Sequence, residues 1–418
     1  MAIAALSGWT TEQKHVVVAS YLGWTLDAFD FFLMVFVLSD IEKSFSGQAG
    51  DVEWAITLTL AMRPIGAFLF GRAADRWGRR PTLMADVLIY SLLEFATGFS
   101  PNLTTLLILR ALFGIAMGGE WGVGASLTLE SIPPHARGFV SGLLQSGYPT
   151  GYLLASIVYK LVYPLFEPEF AWRVMFMIGV LPALLTLYIR RSVPESPGWE
   201  RNTDIAGNTL AVIKSHWRIA IYAIVLMTAF NFFSHGTQDL YPNRFLKGQH
   251  LLSSDTVSNI SIIANIGAII GGLTFGTLSE RFGRRRTIVT AALLSLLVVP
   301  FWAGLIGPDS VVWLAASAFV LQIMVQGAWG VIPAHLNELS PPDARGTFPG
   351  FVYQLGNLIA SSNARLQVWI ALQFGGQYGI ALAAVAWGAA IAITVLVAFG
   401  IERKGVSFRH VTAPAAAD

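Results

Sequence analysis

Apolar residues run along this chain in twelve blocks separated by short polar stretches. The blocks fall at 16–37, 54–71, 82–99, 104–125, 138–163, 172–190, 217–241, 255–277, 287–305, 311–332, 347–374 and 379–399. About 20 apolar residues at ~1.5 Å rise each match the hydrocarbon thickness of a bilayer. The pattern therefore predicts an all-α membrane protein of twelve transmembrane helices. Gly and Pro inside the blocks are compatible with helices in lipid. The longest polar interval is 191–216, with Pro194, Glu195, Pro197, Glu200, Arg201 and Asp204. It splits the chain into a six-helix bundle over 1–190, a linker over 191–216, and a second six-helix bundle with a short tail over 217–418.

One block breaks its apolar pattern. Asn231–Asn243 reads N-F-F-S-H-G-T-Q-D-L-Y-P-N. At 3.6 residues per turn, Asn231, His235, Gln238 and Asp239 share a helical face. Polar groups are expensive in lipid, so this face should look into the bundle interior or a watery cavity. His235 is the side chain that titrates near neutral pH, and here it stands beside an acid. Two roles fit: a proton-coupled solute site, or polar bonding between helices.

Composition agrees with a membrane protein. Hydrophobic residues make up 54% and charged residues 12%, against about 25% charged in a typical soluble domain. Cysteine is absent, which excludes disulfides and thiol chemistry. The N-terminus lacks a signal-peptide layout, so the first block is expected to stay as a helix. With that terminus in the cytoplasm, 19 of the 27 Lys and Arg fall on the cytoplasmic side, while Lys43, Lys160, Arg173, Arg244 and Lys247 fall outside. The positive-inside rule then places both termini in the cytoplasm. Localisation in a bacterial inner membrane follows as an expectation.

The halves repeat each other. Gly71–Leu83, G-R-A-A-D-R-W-G-R-R-P-T-L, matches Gly276–Ile288, G-T-L-S-E-R-F-G-R-R-R-T-I, at an offset of 205. Glu130–Gly142 matches Glu338–Gly350 at 208, and Gly119–Gly122 matches Gly327–Gly330 at 208. Repeated halves around a midplane site are a transporter architecture. The G-x-x-x-D-R-x-G-R-R loop resembles the signature of the major facilitator superfamily. Arg110 with Gly114, Gly118 and Gly122, and the P-E-S-P at Pro194–Pro197, resemble two further motifs of that superfamily. The resemblance covers essentially the whole chain and implies two bundles rocking about a central site. Asn231, Ser234, His235, Thr237, Gln238 and Asp239 form N-x-x-S-H-x-T-Q-D. That pattern is similar to the signature of the yeast-type lactate/pyruvate proton symporters within the sialate:proton symporter group, departing at Asn243, where that signature has Thr. Tyr353–Asn357, Y-Q-L-G-N, is similar to the eleventh helix of those permeases.

The repeat sorts residues by role. Those present in both halves suit shared mechanics: Gly71, Asp75, Arg76, Gly78, Arg79, Glu130 and Arg137, with Glu280, Arg281, Glu338 and Arg345, are expected to form a cytoplasmic charge latch. Plain loop positivity explains the same basic residues. Residues found in one half suit the asymmetric substrate and proton. Arg63, Arg110 and Glu120 align with Ala268, Ala318 and Ala328. A guanidinium offers a carboxylate a planar fork, so Arg110, Arg63 and Arg365 are candidate anion holders; each also fits a structural ion pair. Asn231, His235, Gln238, Tyr353, Gln354 and Asn357 are the other substrate-binding candidates. His235, Asp239, Asp27, Asp30 and Glu120 are the proton-coupling candidates. Asp27 and Asp30, at i and i+3, share a face of the first helix.

These readings predict a proton-coupled importer of a small monocarboxylate such as lactate or pyruvate. A sialate or aromatic-acid symporter is the alternative within the class. A membrane solute sensor that does not transport is the alternative outside it. The expected partners are the carboxylate, protons and the bilayer, with no nucleic acid, and the chain is expected to act as a monomer. No phosphate-binding loop, zinc spacing or cofactor motif is present, so neither an enzyme nor a cofactor or metal protein is expected.

Overall fold

The computed structural model describes residues 8–45, 52–195, 214–341 and 347–406. Twelve helical spans cross it. They are α1 Thr11–Ser44, α2 Glu53–Trp77, α3 Arg79–Thr97, α4 Leu103–Ser131 and α5 Arg137–Val162. Span α6 is broken into Pro168–Ile178 and Leu185–Ser192. Then come α7 Trp217–Gln238, α8 Ser254–Phe282, α9 Arg284–Trp302 and α10 Val311–Leu339. Span α11 is broken into Phe348–Ala360 and Asn363–Gln373, and α12 is Tyr378–Ala398. Among the described residues, nine stretches are long and apolar enough by themselves to cross a membrane. The exceptions are α3, α5 and α11. Span α3 carries Arg79, Arg80, Asp86 and Glu94; α5 is rich in Gly, Ser and Tyr; α11 is interrupted near Ser361. Most of the expected linker, 196–213, lies outside the described residues, as does Arg345.

The chain folds as two six-helix bundles. In the first, α1 packs on α4, α5 and α6, and α4 on α2 and α3. In the second, α7 packs on α11 and α12, and α10 on α8 and α9. The bundles meet where α5 lies along α8 and α10, and where α2 lies along α11. The sequence repeat thus becomes a structural one.

Each motif loop turns on a glycine. Gly78 joins α2 to α3 at φ 106°, and Gly283 joins α8 to α9 at φ 91°. Side-chain-bearing residues rarely adopt that backbone, so the two loops need glycine there. Other glycines let helices touch. A Cβ on Gly118 would strike the Arg63 carbonyl, and one on Gly142 or Gly330 would strike the Gly272 carbonyl at 2.4 Å. Such close approach is how helices associate when lipid supplies no hydrophobic drive.

Candidate functional site: a buried polar seam between the bundles

The broken pattern of the seventh span now has a place. Helix α7 ends at Gln238 and continues as wide π turns over Tyr241–Gln249. Asn231, His235, Gln238 and Asp239 are all buried. His235 Nδ1 lies 3.1 Å from Asp239 Oδ1, one turn away, and its Nε2 lies 3.2 Å from Asn357 Oδ1 on α11. The Asn357 amide donates to Gln354 Oε1 at 2.8 Å. Both ring nitrogens of His235 therefore face oxygen acceptors. A doubly protonated imidazolium satisfies both contacts; a neutral ring satisfies one, unless the Asn357 amide turns over. Gln238 is occupied elsewhere, donating to Gln322 Oε1 at 2.9 Å. The Asn231 amide donates to the Met227 carbonyl at 2.8 Å, while its Oδ1 has no partner among the described residues.

The first bundle holds the opposite kind of site, a cluster of buried carboxyl groups. Asp27, Asp30 and Glu120 are buried, and none of their carboxylate oxygens has a hydrogen-bond partner among the described residues. Glu120 lies against Gly23 of α1, where a side chain would collide with it. The structure adds two acids that the sequence reading passed over. Asp86 and Glu94 lie eight residues apart on the face of α3 that also carries Tyr90, and all three are buried. Two acids at helical spacing inside an apolar block were a readable signal.

The three candidate arginines separate by their partners. Arg110 is bonded to Glu94 in a fully buried ion pair, reaches Thr59 Oγ1 at 3.4 Å, and lies 4.0 Å over the Phe113 ring. Arg365 is exposed and stacks 4.4 Å over the Trp54 ring of α2, away from the polar seam. Arg63 is fully buried, donates to the soft sulfur of Met117 at 2.8 Å, and lies 5.3 Å from the Phe31 ring. Its Nε and Nη1 have no partner among the described residues. Phe31 in turn packs edge-on against His235, ring centres 6.2 Å apart. Arg63 and His235, one from each bundle, thus flank a single phenyl ring.

The family model for sugar (and other) transporters matches residues 15–214 and again 209–401. The chain belongs to that family, within the major facilitator superfamily. The double match is the internal repeat seen a second way. The chain is 28% identical to the sialic acid transporter NanX of Escherichia coli K12, over 97% of this chain and 98% of that one. It is 30% identical to the probable 4-methylmuconolactone transporter of Cupriavidus pinatubonensis, over 84% and 82%. It is also 27% identical to a yeast carboxylic acid transporter protein homolog, over 88% of this chain but 63% of that longer protein. A solved structure of the proton:xylose symporter XylE superposes with a TM-score of 0.76 at 18% identity, covering 95% of this chain and 98% of that one. The architecture is that of a multi-pass membrane transporter.

At the motif-loop end, this facilitator-fold chain is bridged by charge. Arg284 binds Glu280 at 2.8 Å and Glu338 at 3.0 Å, and Glu280 also accepts the Gly138 amide at 2.6 Å from the other bundle. Arg79 stands 3.8 Å from Glu130. Arg137 donates to the Val406 carbonyl of the tail at 2.9 Å. Gly71 faces Thr347 across the seam. Arg76 and Arg281 lie over the rings of Trp77 and Phe282. The helix of Asp75 is described, but its side chain falls outside the described set. A further repeat emerges: Glu195 caps the Arg79 and Arg80 amides, and Glu402 caps the Arg285 amide. A carboxylate at a helix N-terminus complements the dipole in both halves.

Proposed function

We propose that this transporter imports a small monocarboxylate of the lactate or pyruvate type together with a proton, by alternating access. The carrying observation is that Arg63, two of whose donor positions have no partner among the described residues, and His235, wired to Asp239 and Asn357, flank Phe31 from the two bundles. The carboxylate binds the Arg63 fork, with Gln354, Asn231 and Tyr353 beside it. His235 and Asp239 take the proton as one coupled unit. Asp27, Asp30 and Glu120 form a second proton reservoir beside the anion. Loss of the proton leaves His235 with one acceptor too many, and a turn of the Asn357 amide restores the bond. That turn presents a different group to Gln354, which links the proton to the substrate pocket.

One proton entering with one anion is electrically neutral, which removes the membrane-potential penalty on the anion. The names of the relatives, carriers of a carboxylic acid, a sialic acid and a lactone, with a proton symporter as fold neighbour, support the class. The sialate alternative needs a polar cage for a sugar; the apolar, aromatic surroundings of Arg63 favour a smaller acid. We place the chain in a bacterial inner membrane as a monomer, with both termini cytoplasmic.

The test uses proteoliposomes. Acid outside should drive accumulation of labelled acid in the wild type. Asp239→Asn keeps the shape but loses the titrating carboxylate, so accumulation should vanish while substrate exchange persists. Full acid-driven accumulation by that variant would move the coupling role to Asp27 and Asp30.

A further inference from the structure

A recess of about 690 Å³ opens on the outer side of the first bundle, between α2, α3 and α4. Its walls are apolar: Leu69 and Phe70 come from α2, Ile89 and Leu93 from α3, Leu112 and Ile115 from α4. Leu69, Ile89 and Leu112 are exposed on membrane spans, so the recess opens to hydrocarbon. Its motif-loop end carries charge, from Arg72 and Arg76. With Leu69 and Ala73 they follow the i, i+3, i+4, i+7 spacing of a single face of α2. Both arginines are exposed, and neither makes an ion pair or hydrogen bond among the described residues. Arg76 lies 5.7 Å over the ring of Trp77, which is 65% exposed at the end of α2. Trp gathers at the boundary between acyl chains and headgroups. Arg72 lies one turn deeper, within ~8 Å of that end at 1.5 Å per residue. The charged doublet is particular to this half: at the offset of 205, Arg76 aligns with Arg281 but Arg72 with Thr277. A second apolar cleft, of about 430 Å³ between α7, α11 and α12, has no charged side chain in its described lining.

We propose that this recess is a binding site for one anionic phospholipid from the leaflet at the motif-loop end. An apolar hollow open to hydrocarbon fills with acyl chain, because an empty one forfeits its dispersion contacts. The two arginines then decide which headgroup sits above that chain. Their guanidinium forks match the oxygens of a phosphate, and their pairing on one helix face favours a headgroup with net negative charge. Basic pockets between membrane helices hold anionic lipids by this combination of charge and chain. The lipid lies behind α2, whose Gly71 meets Thr347 of the second bundle. It is therefore separate from the polar seam, and the site stands whichever acid the carrier moves.

Two lipids with the same chains and different headgroup charge test the site. The full chain, purified in detergent, is titrated with dioleoylphosphatidylglycerol and with dioleoylphosphatidylcholine, and bound lipid is counted by native mass spectrometry. The Kd for phosphatidylglycerol should be about tenfold or more below that for phosphatidylcholine. The double variant Arg72→Ala, Arg76→Ala should bring the ratio to about one. Ala73→Trp and Leu112→Trp each plug the recess while leaving both arginines, and should lower phosphatidylglycerol binding as strongly. The double variant Arg190→Ala, Arg191→Ala removes two exposed charges elsewhere and should leave the ratio unchanged. Free sn-glycerol 3-phosphate, a headgroup without chains, should not displace the lipid. Melting of each variant reports folding separately. Equal Kd values for the two lipids in the wild type would overturn the proposal. So would a preference that survives loss of Arg72 and Arg76, or one lost equally with Arg190 and Arg191. Undiminished binding in both plugged variants would put the lipid on the open surface and overturn it as well.

Discussion

At the residue scale, the decisive difference is between two buried arginines on neighbouring helices. Arg110 spends its fork on Glu94 and Thr59. Arg63 is buried, and its Nε and Nη1 have no partner among the described residues, which leaves donors for a carboxylate. Lysine keeps the charge but loses the planar pair of donors. Arg63→Lys should therefore weaken substrate binding by ~10–100-fold, the equivalent of ~1.5–3 kcal/mol for charge-assisted bonds. Arg110→Lys should act differently, by loosening a buried ion pair, which lowers the melting temperature more than it raises the half-saturating concentration. Measured binding and melting of both variants decide the matter, and the reversed pattern would hand the anion to Arg110. The sequence marks both arginines as asymmetric and buried, because each aligns with alanine in the other half. It does not show which one is free. That depends on Glu94, sixteen residues from Arg110 and on a different helix.

At the scale of elements, the seam between the bundles holds a bond that no periodicity reveals. Pro333 interrupts the ladder of α10, since proline has no N–H to give. Just beyond it, the Ala334 amide turns to Ser141 Oγ of α5 at 3.0 Å, and the Ser141 hydroxyl donates to the Gly330 carbonyl at 2.8 Å. A hydroxyl from the first bundle thus bonds both the amide and the carbonyl of the rung next to the one that Pro333 cannot make. Insertion of a side chain into the ladder is a recognised cause of bending, so α10 can bend here as the bundles part. Ser141→Ala leaves two backbone groups without that partner and should destabilise the closed seam by ~1–2 kcal/mol. The expected sign is faster labelling of a cysteine placed at Ser146, which lines the same seam near Gly272. Unchanged labelling would mean that Ser141 serves α5 alone. The glycines here were legible as a small-residue stripe; the helices they bring together were not, because contact across the halves is a property of the tertiary fold. The polar face of α7 was legible as well, although Gln238 turns to Gln322, while His235 contacts Asp239.

At the scale of the whole molecule, the bundles are bridged at both ends of the polar seam. At the motif-loop end, Glu280 takes the Gly138 amide, and the tail binds Arg137 through Val406. At the far end, the Asn243 amide donates to the Val35 carbonyl at 2.6 Å, and Lys160 reaches Asp255 at 3.1 Å and Asn259 at 2.8 Å. In the proposed alternating-access cycle, the next step of a molecule bridged at both ends is set by which set of bridges yields first. The two sets are chemically unequal. Lys160 and Asp255 are partly exposed, with side-chain exposures of 36% and 65%, and exposed ion pairs contribute little. At the motif-loop end, Glu280 is part-buried and is itself held by Arg284, whose pair with Glu338 inside the second bundle is buried, so this end is expected to yield less readily. Opening should therefore favour the far end in the resting protein. Glu280→Ala removes the carboxylate that joins Arg284 to the other bundle and should tilt the balance toward the motif-loop end. Labelling measures this directly, because the chain contains no cysteine of its own. A cysteine at Ser146 should react about tenfold faster in the Glu280→Ala background, and one at Asn259, on the far side, should react more slowly. Since opening one end closes the other in the proposed rocking of the bundles, the two rates should move in opposite directions. Rates that rise together would mean that Glu280 only stabilises the fold, and the latch would then have to be sought in the tail contacts of Arg137.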